Sequence, residues 1–243
     1  MLQSADSLLR MILRDSGSSS RVDVVFDEYR DISIKGGERE RRGTQSATRY
    51  SNIQSGHKIQ QWKKFLSTSD NKQQFIRFIG AEWQLPRYRC KIGLKELFVT
   101  TGSSCRKLTA TTVEIVQELS CTHEEADTRL LLHARHADAS DVHTIVVAAD
   151  DTDVLVLLIG HTEKIAAEVF LRFGSGGKSQ VFNLSKVSKS LGTDVCTAML
   201  GLHAFTGCNS VSAFAGKGKV SIFKLMCKQS IRRHSSHSDK TGT

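Results

Sequence analysis

Thr144-Ile-Val-Val-Ala-Ala149, Asp150-Asp-Thr-Asp153 and Val154-Leu-Val-Leu-Leu-Ile159 follow one another without a break, and this stretch decides the fold. The first run is apolar with no alternation, the pattern of a strand covered on both faces in a parallel sheet. Three aspartates then interrupt what would otherwise be one continuous buried segment. A buried strand ending in an acidic turn, followed at once by a second apolar run, predicts an α/β protein with its polar chemistry at the carboxyl end of a strand.

The remaining elements are read outward from there. Val169-Phe-Leu-Arg-Phe173 and Gln180-Val-Phe-Asn-Leu184 flank Gly174-Ser-Gly-Gly177, which predicts a β-hairpin. Ser185 to Leu202 is expected to be helical. Upstream, Thr122-His-Glu-Glu125 has the form of a capping box opening a helix whose buried face is Ala126, Leu130, Ala134 and Ala137. Val113 to Leu119 reads as a short amphipathic helix and Leu97-Phe-Val-Thr-Thr101 as a strand. Between Lys58 and Trp83 the spacing of Trp62, Phe65, Leu66, Phe75, Phe78 and Ile79 predicts two short helices. Val22-Asp-Val-Val-Phe-Asp27 is an early strand stopping at an acidic residue. Ser4 to Arg14 has helical spacing and is separated from it by Gly17-Ser-Ser-Ser20.

The domain organisation expected is an N-terminal helix and joint over 1–20, one domain over 21–228, and a disordered Ser/His/Lys-rich tail over 229–243. Within that domain, 35–85 forms an inserted basic helical region. The chain has 243 residues, 39% apolar and 24% charged, with a single proline. That is enough to bury a sizeable core, and it excludes a collagen-like or wholly disordered protein. No apolar run approaches the roughly 18 residues of a membrane helix. The order of charges in the first residues is not that of a secretory signal, so the expectation is a soluble, intracellular protein, nucleus or cytoplasm unassigned. The net charge of +9 favours an anionic partner such as nucleic acid. The six cysteines form no C-x-x-C pair and read as reduced, mostly buried thiols.

Acidic residues recur where strands end and helices begin: Asp27, Glu125, Asp127, Asp151 and Asp153. Clustered carboxylates repel one another, and hard oxygen ligands of this kind suit Mg²⁺ or Mn²⁺. Two such ions about 4 Å apart would activate a water and stabilise the leaving oxygen of a phosphodiester. Each residue also has a plainer reading, because acids cap helices and begin turns. Gly177-Lys-Ser179 imitates the tail of a P-loop, but Arg172 stands where that pattern needs glycine. His133 and His136 read as surface histidines without a third ligand. Cys208 near His203 lacks the orienting group a thiol nucleophile needs.

The succession V-x-V-V-F-D, a basic run, E-A-D in a helix's first turn, A-x-D-D-T-D-V-L, a hairpin, T-G-C-N and G-K-G-K resembles the flap endonuclease/XPG branch of the PIN-like nucleases. It is most similar to uncharacterised animal proteins with such a domain. The resemblance covers about 22–42 and 119–226. It implies a three-layer α/β/α fold with a mostly parallel sheet and a nuclease-type, divalent-metal-dependent domain hydrolysing phosphodiester bonds. By that resemblance Asp27, Glu125, Asp127, Asp151, Asp153 and Asn209 are metal ligands, and Asp151, Asp153, Lys35 and Arg42 act in catalysis. Lys35, Arg39, Arg41, Arg42, Gly216, Lys217, Gly218 and Lys219 would grip the nucleic-acid backbone. The chain departs from the pattern in two places: Asn209 replaces an aspartate, and no central strand with its aspartate precedes Asp27. Those departures keep open a catalytically inactive nucleic-acid-binding relic, or a protein-interaction fragment.

Overall fold

The computed structural model describes residues 1–28, 49–50, 52–174 and 179–206. Lys35, Arg39, Arg41, Arg42, Cys208, Asn209 and Gly216 to Lys219 lie outside them, as do the tail and the centre of the expected hairpin loop. The chain forms two compact units, Met1–Arg129 and a second from Leu130 onward. Both combine helices with a mixed sheet, so the class is α/β.

The first unit opens with α1 (Leu2–Asp15) and β1 (Arg21–Val24), followed by α2 (Trp62–Phe65), α3 (Ser69–Glu82) and α4 (Pro86–Arg89). Next come β2 (Glu96–Thr101), β3 (Ser104–Leu108) and β4 (Val113–Ile115), with a 3₁₀ turn at Gln117–Leu119. The sheet order is β1-β2-β3-β4, parallel between β1 and β2 and antiparallel thereafter. α1 is amphipathic, and its Ala5 and Leu9 are fully buried in a core with Ile79, Trp83 and Leu97. Trp83 is held in register there, its indole N–H donating to the Ala5 carbonyl at 3.0 Å. Such burial is the main stabilising term in the unit.

In the second unit, α5 (Ala126–Asp138), whose first residues belong to the first, leads to β5 (Thr144–Ala148) and α6 (Thr152–His161). A 3₁₀ turn at Thr162–Lys164 precedes β6 (Glu168–Phe173) and β7 (Gln180–Asn183), and α7 (Leu184–Leu191) and α8 (Thr193–Thr206) follow. β5 pairs in parallel with β6 across the α6 connection, and β6 pairs antiparallel with β7, giving the expected hairpin. Val169 and Leu171 are fully buried between Val147, Leu158 and Leu184. Both carboxylate oxygens of Asp138 accept backbone hydrogen bonds, from Ala167 N at 2.7 Å and Ala166 N at 3.1 Å, tying the end of α5 to the entry of β6.

Six expectations are corrected. Thr144–Ala148 is a strand but is not covered on both faces, because Val147 is buried while Thr144, Val146 and Ala148 are exposed. The sheets are mixed rather than mostly parallel, because only two of the five described pairings are parallel. Val113 to Leu119 is a strand followed by a 3₁₀ turn: Val113 and Ile115 are exposed, and pairing with Leu108 and Arg106 fixes them as strand. The early strand ends at Val24, since the Thr100 hydroxyl takes the Phe26 N–H at 2.9 Å in place of a ladder bond. The helix over 185–202 is two helices, broken at Gly192, whose φ of 77° lies in the left-handed region that glycine tolerates. His133 is not a surface residue: it is 3% exposed, on the inner side of α5.

Candidate metal centre

The acidic turn after β5 is built by its own hydrogen bonds. Asp151 is the N-cap of α6, its Oδ1 accepting from Asp153 N at 2.9 Å, which satisfies one of the free amides at the helix start. Asp153 lies in the first turn, where the helix dipole favours a negative charge. Asp150, just before them, accepts from Gly174 N at 2.7 Å and so fixes the exit of β5 against the exit of β6. Capping occupies one carboxylate oxygen of Asp151 with one N–H, and a carboxylate has several further acceptor positions.

Asp127 stands in the first turn of α5, a single uninterrupted helix that carries Leu130, Leu131 and Ala134 onto the core of the second unit. One ligand oxygen each of Asp127, Asp151 and Asp153 lie within 4.8 Å of one another, with Asp151 exposed and the other two half-buried. This triad could hold a metal ion. The donors are hard oxygens only, which fits a hard divalent cation and not a thiolate-seeking one.

The other acidic residues singled out in the sequence are placed differently. Glu125 immediately precedes α5, and neither it nor Asp27 is one of the three grouped carboxylates. Asp27 Oδ1 accepts from Ala126 N at 2.9 Å, so the first amide of α5 is satisfied by a residue from the exit of β1. The helix begins at Ala126, after the Thr122–Glu125 stretch that the sequence marks as its opening, and its first amide is held by a residue from a distant segment. Glu28 N donates to Glu124 O at 2.7 Å beside this contact.

One residue escaped the sequence reading. Arg129, with only 3% of its side chain exposed, pairs with Glu28 Oε2 at 2.9 Å and donates to the carbonyls of His123 at 2.7 Å and Gly102 at 2.7 Å. A signal was present, because a cation in the first turn of a helix opposes the dipole and calls for a compensating partner. The described cysteines carry no disulfide: Cys90 is exposed, Cys121 half-buried, and Cys105 and Cys196 buried. Burial pushes the Cys105 thiol up to about 12. Among the described residues no helix is long and apolar enough to cross a membrane. No protein-family model, curated protein or solved structure matches the chain.

Proposed function

We propose that this chain is a PIN-like, nuclease-type domain that hydrolyses phosphodiester bonds of nucleic acid with Mg²⁺ or Mn²⁺. The observation that carries the reading is the convergence of Asp127, Asp151 and Asp153, from two helix starts, within 4.8 Å. The net charge of +9 supports a polyanionic partner, and the ordered motifs of the sequence support the family. Asp127, Asp151 and Asp153 would hold the cation, with Asp27, Glu125 and Asn209 proposed as completing a two-ion site. A cation bound there supplies Lewis acidity to a phosphoryl oxygen and lowers the pKa of a bound water. The chain's own part is orientation. The Asp151 cap fixes one carboxylate on the backbone of α6, while the first turns of α5 and α6 present the other two.

The test is Mn²⁺-dependent cleavage of end-labelled single-stranded and flapped oligonucleotides, DNA and RNA, by the chain and by an Asp151→Asn, Asp153→Asn variant. Loss of cleavage in the variant supports the assignment, and unchanged cleavage overturns it. Asn209 favours a second reading, a nuclease fold that binds nucleic acid without turning it over. That reading expects salt-sensitive binding and no cleavage by the chain itself, and it fails as a description of a spent site if Asn209→Asp restores Mn²⁺-dependent turnover.

A further inference from the structure

We propose that Arg129 is a positioning residue for the carboxylate site, setting the first turn of α5 and with it Asp127. This rests on the reading of Asp127 as a metal ligand. Arg129 is 2% exposed, and a buried cation is tolerated only where its donors and its charge are met. Its guanidinium meets four acceptors: Nε donates to His123 O at 2.7 Å, Nη1 to Gly102 O at 2.7 Å, and Nη2 to Glu28 Oε2 at 2.9 Å and Cys121 O at 3.4 Å. These acceptors come from three separate places, namely the exit of β1, the turn between β2 and β3, and the approach to α5. One planar fork therefore joins three segments that are far apart in the sequence.

Two backbone contacts lie on the same seam. Ala126 N donates to Asp27 Oδ1 and Glu28 N donates to Glu124 O, so residues 27–28 and 124–126 are bound to each other twice. Asp127 sits between Ala126, pinned by the first of these, and Arg129, pinned by its side chain. A cation here works against the helix dipole, so helix stability is not what the position serves. The arrangement instead fixes the rotation of the helix's first turn, which decides where the Asp127 carboxylate points.

Lysine keeps the charge but not the fork, and one ammonium cannot span the exit of β1, the β2–β3 turn and the approach to α5. Arg129→Lys is therefore expected to fold, to raise the Kd for Mn²⁺ about tenfold, as loss of supporting contacts behind metal ligands does, and to speed amide exchange at Glu28 and Ala126. Leu9→Ala, which hollows the core of the same unit, is the control, because a loss of general stability alone would leave Mn²⁺ affinity unchanged. Glu28→Gln, which removes the counter-charge and keeps an acceptor, is the second variant if Arg129→Lys does not fold, and it should shift both readouts the same way.

Calorimetric Mn²⁺ affinity and exchange at the two amides decide the matter. Weaker binding with faster exchange in Arg129→Lys but not in Leu9→Ala supports the proposal. Wild-type affinity in a folded Arg129→Lys, or an equal loss in Leu9→Ala, overturns it. If the unaltered chain binds no Mn²⁺, the reading of the triad fails by itself. Exchange then judges Arg129 alone, and unchanged rates at Glu28 and Ala126 reject its role.

Discussion

The Asp27 carboxylate accepts the backbone N–H of Ala126 at 2.9 Å, joining residues 99 apart in sequence. A carboxylate on an amide at a helix start satisfies an orphan donor and complements the dipole. Removing the acceptor in Asp27→Ala should cost about 1–2 kcal/mol of unfolding free energy, the range of a lost helix cap. Asp27→Asn, which keeps an acceptor oxygen, should cost less. Urea denaturation of the two variants measures the difference, and equal losses would show that the contact is not what the carboxylate contributes.

Thiol reactivity should divide by burial. Iodoacetamide is expected to label the exposed Cys90 readily in the native chain and to leave Cys105 and Cys196 unmodified until denaturant is added, read by peptide mass spectrometry.

The Cys105 thiol also makes stability depend on pH. Its folded-state value rises from an ordinary 9.0 to about 12 through burial, reinforced by the Asp23 charge. Below 9 both folded and unfolded chains keep the proton and nothing is lost. As pH rises from 9 towards 12 the unfolded thiol ionises while the buried one resists, so stability falls across that window. A Cys105→Ala variant should show a shallower alkaline decline in chemical denaturation, and identical slopes would contradict the assignment.

Gly160 on α6 lies against Leu200 on α8. A Cβ added at Gly160 would stand 2.6 Å from the Leu200 Cγ and Cδ2 atoms. Gly160→Ala should therefore destabilise by about 1–3 kcal/mol through overpacking, against a helix-propensity gain of about 1 kcal/mol. In combination with Leu200→Ala the penalty should shrink, a coupling that a double-mutant cycle in urea detects. Additive effects would show that the two helices yield instead.

What the sequence made legible follows from which forces were local. Thr144–Ala148 could be read as a strand from its apolar, β-branched run, although cover on both faces did not follow, since Val147 is buried and Val146 is 57% exposed; the β6–β7 hairpin was legible because its two runs flank a glycine-rich turn. Asp151 and Asp153 could be singled out because polar residues there break an apolar segment. β3 and β4 were hidden, since Ser104-Cys-Arg-Lys-Leu108 alternates poorly and its pairing with β2 and β4 is a tertiary matter. The start of α5 was misplaced for the same reason. Thr122 and Glu125 pointed to a local opening of the helix, but the amide of Ala126 is taken by Asp27, which arrives from the exit of β1. Arg129 gave a charge at an unfavourable helix position without saying which carbonyls would receive it.

Calorimetric titration of Mn²⁺ into the purified chain, beside the Asp151→Asn, Asp153→Asn variant, tests the central claim most directly. Asparagine retains the acceptor that caps α6, so the variant should fold and the comparison isolate charge. Saturable binding by the chain that is lost in the variant is the predicted result. A folded chain that binds no Mn²⁺, or a variant that binds it equally well, would contradict the claim that these carboxylates form a metal centre.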